Sequence, residues 1–295
     1  MGKAVFTGRG LPGGPLDPLD PLILSQSRTT ISLLVLAPLL LLLRGSGVFA
    51  MPARDVLRCL LLGVLGIAGS NFFYYFAIQK SNVSTAIIVQ YTAPVWVLLY
   101  MVGRGREHAN ELRIVAVGAA VAGCALAVGI FGHQRMQLAW LGIGAALLAA
   151  LSFSFYNVYG RTLLGRHERW KVMVYALLGA SLFWLAVHPP QQIVAAHYSN
   201  GQWIFMLVFA LLSMLIPFSF YFSGLHDLEP TRAIVTSCLE PVFAILIAAT
   251  FLDESFGWLQ AIGMTLVLAA TVAVQMPERA RGEVTSEAAL TEHLE

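Results

Sequence analysis

Charge is what this sequence has least of. Only 12% of its 295 residues are Asp, Glu, Lys or Arg, against 58% apolar, and the mean hydropathy is +0.74. A soluble domain carries roughly twice that share of charge, so a water-soluble globular protein is excluded and a polytopic membrane protein is implied. The net charge of +2 is too small for a nucleic-acid surface, and the basic residues fall in short clusters between apolar runs. Cysteine is also scarce: Cys59, Cys124 and Cys238 lie far apart, without the C-x-x-C or Cys/His spacing of a zinc or cluster site. They read as small apolar helix residues, and no metal or cofactor is expected. Alternating ten-residue strand patterns are missing, which excludes an outer-membrane barrel. The first twenty residues, rich in Gly, Pro and Asp, hold no continuous apolar stretch of the kind a signal peptide needs.

What is present is a series of long apolar runs. A hydrocarbon core about 30 Å thick takes about 20 helical residues, and on that template spans are predicted at 21–43, 56–79, 83–103, 112–131, 138–164, 170–187, 203–224, 231–252 and 255–275. The fold expected is therefore an all-α integral membrane protein with nine visible spans. Thirteen Lys and Arg fall in the connections on one side (Arg44, Arg54, Arg58, Arg104, Arg106, Arg113, Arg161, Arg166, Arg169, Lys171, Arg232, Arg279, Arg281), and four (Lys3, Arg9, Lys80, Arg135) on the other. The excess of basic residues marks the cytoplasmic side, which puts the C-terminus in the cytoplasm of a plasma (inner) membrane protein. Residues 1–20 then form a polar extracytoplasmic segment, and the Glu-rich residues 277–295 a disordered cytoplasmic tail.

The chain also resembles itself. A shift of 147 residues lays YYFAIQKSNVSTAIIVQYTAPVWVLL, from Tyr74, on YFSGLHDLEPTRAIVTSCLEPVFAIL, from Tyr221, and matches Tyr74 to Tyr221, Pro94 to Pro241 and Glu107 to Glu254. This divides the chain into a first repeat at 21–131 with four spans and a second at 138–276 with five. The first helix of the first repeat is missing on this count, and a further apolar segment before Met1 is expected; an asymmetric repeat is the alternative. Units of five helices cross the membrane in opposite senses, which is the inverted-topology repeat of many secondary transporters.

These residues carry a resemblance. The arginine early in QSRTTISLLVLAPLLLLL, the midspan prolines of QYTAPVWVLL and CLEPVFAILIA, and the acidic residue ahead of the last helix of each repeat, in REHANELRIVAVGAAVAG and LDESFGWLQAIGMTLVLA, resemble the EamA-type branch of the drug/metabolite transporter superfamily over residues 21 to 276. It departs from that family in having nine spans instead of ten, and Arg106-Glu107 and Asp253-Glu254 where Gly-Glu is usual. The resemblance implies an exporter.

Candidate site residues follow from the chemistry of the bilayer. Pro94 and Pro241 have no N–H for the carbonyls of Gln90 and Ser237, so matched interruptions are predicted at one depth in the two halves, the best sequence pointer to a midplane site; packing is the alternative. Glu240 lies about 14 Å into its span at 1.5 Å per residue. An ionised carboxylate there costs at least ~2.5 kcal/mol, so it must face the bundle interior, either as a substrate or proton site or in a structural bond to a group such as Gln90. Arg28 could reach a cavity or snorkel to headgroups. Asn71, Tyr75, Gln90, Tyr91, Trp96, Tyr156 and Asn157, inside spans, could wall a pocket with rings and amides, or serve as helix glue and lipid-facing aromatics. Gly142, Ala146, Ala150 and Ser154, every four residues, form a seam for close packing. The function expected is a secondary active transporter, an exporter of an amino-acid-like or drug-like metabolite by alternating access. A truncated or accessory membrane protein is the alternative. A membrane-embedded enzyme is disfavoured, since His188, His197 and His226 stand singly and no aspartate-rich, H-E-x-x-H or serine-with-base motif is present. The partners expected are a small-molecule substrate, a coupling proton and the lipid bilayer, with no nucleic acid and a homodimer left open.

Overall fold

A computed structural model describes residues 21–108, 110–129, 139–189, 191, 198–251 and 256–276. Among them, nine helices are long and apolar enough to cross a membrane. They are α1 (Leu22–Arg44), α2 (Ala53–Lys80), α3 (Val83–Gly103), α4 (Glu111–Val128), α5 (Trp140–Leu164), α6 (Arg169–Val187), α7 (Asn200–Asp227), α8 (Pro230–Thr250) and α9 (Trp258–Gln275). All nine sequence-predicted spans have a counterpart, with ends that move by a few residues. The segment 1–20, the tail 277–295, Arg135, His197 and Asp253-Glu254 lie outside the described residues.

Contacts between connections show how the helices alternate. At the arginine-rich end the Arg44 and Glu168 side chains form an ion pair, His167 Nε2 lies 3.0 Å from Asp55, and Arg113 lies 2.8 Å from Glu229. At the arginine-poor end Gln26 donates to His188 O at 2.9 Å and Gln260 to Ala127 O at 3.1 Å. Successive helices therefore run antiparallel, as short connections require.

The buried side chains form two main groups. One draws on α1, α2, α5, α6 and α7, including Leu62, Leu177, Trp184 and Phe222; the other draws on α3, α4, α8 and α9, including Ala120, Val235 and Val267. Small residues set the spacing between helices, because lipid offers no hydrophobic drive to association and close backbone approach must supply the contact. A Cβ on Gly63 would lie 1.9 Å from Ala176 O, and one on Gly179 would lie 2.3 Å from Leu60 O, so α2 and α6 meet backbone to backbone. The seam on α5 packs likewise: Gly142 faces Ser81, just past the end of α2, Ala146 and Ala150 are fully buried, and Ser154 Oγ donates to Ala93 O on α3 at 3.1 Å.

Two spans are broken, 147 residues apart. Helix α3 stops at Gln90 and resumes at Ala93; α8 stops at Ser237 and resumes at Glu240. Proline explains both, since its ring clashes with the carbonyl four residues back and its nitrogen has no proton. The chain tightens into three-residue turns before it, with Thr92 N bonded to Val89 O at 3.1 Å and Leu239 N to Thr236 O at 3.1 Å. The break thus precedes each proline by two residues or so, and Pro94 and Pro241 open the second half-helices, a position that costs no hydrogen bond. A second correspondence appears in α2 and α7, which each contain a wider π turn, at Leu62–Ala68 and at Leu211–Leu215. Such turns arise where a helix is locally overfull and commonly mark functional sites.

Candidate functional site

Helices α1, α2, α3, α5, α7 and α8 enclose a cavity of about 420 Å3 at the level of the two breaks. Seven of its 22 lining residues are aromatic. Tyr74 and Tyr75 of α2 face Phe153 and Tyr156 of α5 and Phe218 and Tyr221 of α7, and the Tyr156 ring stacks on Tyr221 with centroids 5.8 Å apart. Asn157 Oδ1 accepts from the Tyr221 hydroxyl while its amide donates to Phe153 O at 2.8 Å. The amide thus fixes the tyrosine that forms the wall.

Two groups of opposite charge line this space. Arg28 comes from the buried polar stretch of α1, and its guanidinium donates to Asn71 Oδ1. Asn71 Nδ2 donates in turn to Ile67 O at 2.7 Å, inside the π turn of α2, so the turn orients the amide and the amide orients the arginine. Glu240 is the first residue of the second half of α8, accessible from the cavity, and accepts a hydrogen bond from Tyr91 Oη at 3.4 Å. Its position at a half-helix N-terminus places a carboxylate where the unsatisfied N–H groups and the helix dipole favour negative charge. Tyr91 lies in the break of α3, so this bond joins the two breaks. Three polar atoms on the wall, Arg28 Nε, Tyr156 Oη and Ser213 Oγ, are buried without a hydrogen-bond partner among the described residues.

Of the sequence-predicted site residues, Arg28, Asn71, Tyr75, Gln90, Tyr91, Pro94, Tyr156, Ser237 and Glu240 line this one cavity. Asn157, Trp96 and Pro241 do not. Asn157 is fully buried behind Tyr221; Trp96 turns back toward the break, where Nε1 donates to Thr92 Oγ1 at 3.2 Å, and is partly exposed on the outside of the bundle; Pro241 is buried at its helix start. Gln90 is not the partner of Glu240 that sequence alone allowed, because its amide donates to Ser70 Oγ at 3.3 Å. Sequence reasoning left Phe153, Ser213, Phe218 and Tyr221 out of the site. Tyr221 carried a usable signal, being the match of Tyr74 under the 147-residue shift.

Comparison with known proteins gives a coherent result. The model of the EamA-like transporter family matches residues 14–129 and again 140–276. An uncharacterised inner membrane transporter, YicL, of Salmonella typhimurium is 21% identical over 87% of this chain and 87% of its own. The uncharacterised transporter YdeK of Bacillus subtilis is 27% identical over 92% of this chain and 94% of its own. The threonine/homoserine exporter RhtA of Salmonella typhimurium is 25% identical over 75% of this chain and 72% of its own. A solved crystal structure superimposes with a TM-score of 0.71 at 20% identity, covering 88% of this chain and 89% of that one, which establishes the fold.

Proposed function

The chain belongs to the EamA-like transporter family, and from that premise we propose that it is a secondary active exporter of an amino-acid-like metabolite, working by alternating access around the cavity between its two halves. The observation that carries this reading is the pairing of Arg28 and Glu240 in one aromatic-walled space at the helix breaks. A zwitterion satisfies both charges, its carboxylate meeting the guanidinium and its ammonium meeting Glu240, while the rings hold its side chain. A single cation or anion would leave one intramembrane charge unanswered. The exporter among the relatives supports both the direction and an amino-acid-like cargo.

In the cycle, Glu240 is the group that alternates its partner. With substrate bound it faces the ammonium; with the cavity empty it accepts from Tyr91 and takes up a proton, which lets the uncharged carboxyl cross a dry intermediate. The helix breaks at Tyr91-Thr92 and Cys238-Leu239 are the points about which the half-helices swing. The arginine-rich end faces the cytoplasm on the excess of basic residues there. Purified protein in liposomes, preloaded with each of a panel of radiolabelled amino acids and given a pH gradient, tests the proposal. Counterflow of at least one zwitterionic amino acid, and none of its ester or its deaminated acid, is the expected outcome; equal transport of all three forms would contradict it.

A further inference from the structure

Glu107, the acidic residue ahead of α4, does not face the cavity. Its side chain is 1% exposed and its Oε2 lies 2.9 Å from Arg113 Nη1, which is itself buried. The other arm of Arg113, Nη2, reaches across to Glu229 Oε2 at 2.8 Å, and Arg232 Nε lies 3.3 Å from that same oxygen. Glu107 Oε1 also accepts from the backbone N–H of Thr231 at 3.4 Å. Glu107 and Arg113 belong to the first half of the chain; Glu229, Thr231 and Arg232 form the start of α8 in the second half. The group therefore binds the two halves together at the arginine-rich end. Val97 and Met101 of α3 pack with Ile234 of α8, three residues beyond Thr231, and Ile234 also lines the cavity.

Among the described residues the opposite end is built differently; Glu254, the match of Glu107, lies outside them. Under the 147-residue shift the positions of Arg113 and Glu229 are taken by Gln260 and Asn82, neutral residues. Gln260 accepts from Gly257 N and donates to Ala127 O, and Asn82 caps α3 by accepting from Thr85 N. Among the described residues no ion pair joins the halves there, and the half-helices Val83–Gln90 and Glu240–Phe251 lack the packing that the other two halves of α3 and α8 make with each other.

We propose that the Glu107–Arg113–Glu229 cluster is a one-sided latch, which holds the cavity shut toward the arginine-rich end and must open for substrate to pass there. Arg113 and Glu107 are buried while Glu229 is half exposed, so the bond to Glu229 is the one that water can replace while the buried pair stays joined. Such a contact has two states, engaged or hydrated, which is what a gate requires. The inference rests on the alternating-access reading, but its test does not use transport.

With Cys59, Cys124 and Cys238 replaced by Ala, Ile234→Cys reports on the wall of the cavity. A membrane-impermeant methanethiosulfonate reagent is applied to vesicles with the arginine-rich face outward, and the labelling rate is measured. Neutralising the buried pair together, Glu107→Gln with Arg113→Gln, should raise that rate by about tenfold or more, as a shift in gate population would. An unchanged rate in protein that remains monodisperse overturns the latch. If the double variant does not fold, Glu229→Gln decides, because it leaves the Glu107–Arg113 pair and the Thr231 N–H bond to Glu107 intact and removes the ion pairs of Glu229 with Arg113 across the halves and with Arg232 beside it. A severalfold rise supports the latch, and no rise overturns it. Either result stands apart from the amino-acid counterflow test, which probes the cavity and not the gate.

Discussion

Tyr91 and Glu240 are 149 residues apart in sequence, each at a helix break, and the tyrosine hydroxyl donates to the carboxylate at 3.4 Å. The bond is long for a charge-assisted one, as suits a contact that substrate must displace. Tyr91→Phe keeps the ring and removes the donor. Its expected effect is a change in apparent substrate affinity of less than about tenfold, in keeping with a weak hydrogen bond, with protein yield unaltered. A loss of all transport would show that the hydroxyl acts on substrate directly.

Asn71 should matter through Arg28. It ties the guanidinium to the Ile67 carbonyl, so Asn71→Ala frees Arg28 to turn toward the headgroups. Substrate KM should rise by about tenfold, the worth of a charge-assisted hydrogen bond, with little change in maximal rate. Arg28→Lys should not restore a wild-type KM, because an ammonium lacks the planar fork that meets amide and carboxylate together.

Accessibility separates the rings that face the cavity from those that do not. In a background without native cysteines, Tyr91→Cys should react with a water-soluble thiol reagent and be protected by substrate. Trp96→Cys should be inert, since Trp96 lies outside the cavity. Reaction at Trp96 with protection by substrate would contradict the placement of α3.

The α2–α6 crossing leaves no room for a methyl group. Gly63→Ala or Gly179→Ala drives a Cβ into backbone oxygen, and overpacking of this kind costs about 1–3 kcal/mol. In detergent the melting temperature should fall by several degrees. Gly118→Ala, with nothing within 4 Å of its Cβ, is the control and should leave it unchanged or slightly raised.

The sequence made the spans and their breaks legible because bilayer thickness and proline chemistry act locally, within one helix. It located an interruption near Pro94 and near Pro241; in the structure each helix stops a few residues earlier and Glu240 opens the next one, which turns a midspan acid into a half-helix N-terminus. Facing was much harder to read. These helices are apolar on nearly every side, so no polar stripe distinguishes cavity from lipid, and Trp96 and Asn157 were assigned on residue type alone. Trp96 is turned by its bond to Thr92, and Asn157 by its bond to Tyr221, both contacts that spacing does not reveal. Glu107 was recognised as a motif, but its partner Arg113 takes a second carboxylate, Glu229, from packing across 116 residues of sequence.

The most direct test of the account is Glu240→Gln in liposomes with a pH gradient, compared with wild type across external pH. The substitution preserves the shape and the hydrogen bond from Tyr91 while removing the charge and the titration. The account predicts a variant that folds, inserts and melts like wild type, with transport that is much reduced and no longer varies with pH. A variant that transports at the wild-type rate, with the wild-type pH profile, would show that Glu240 only joins two helices.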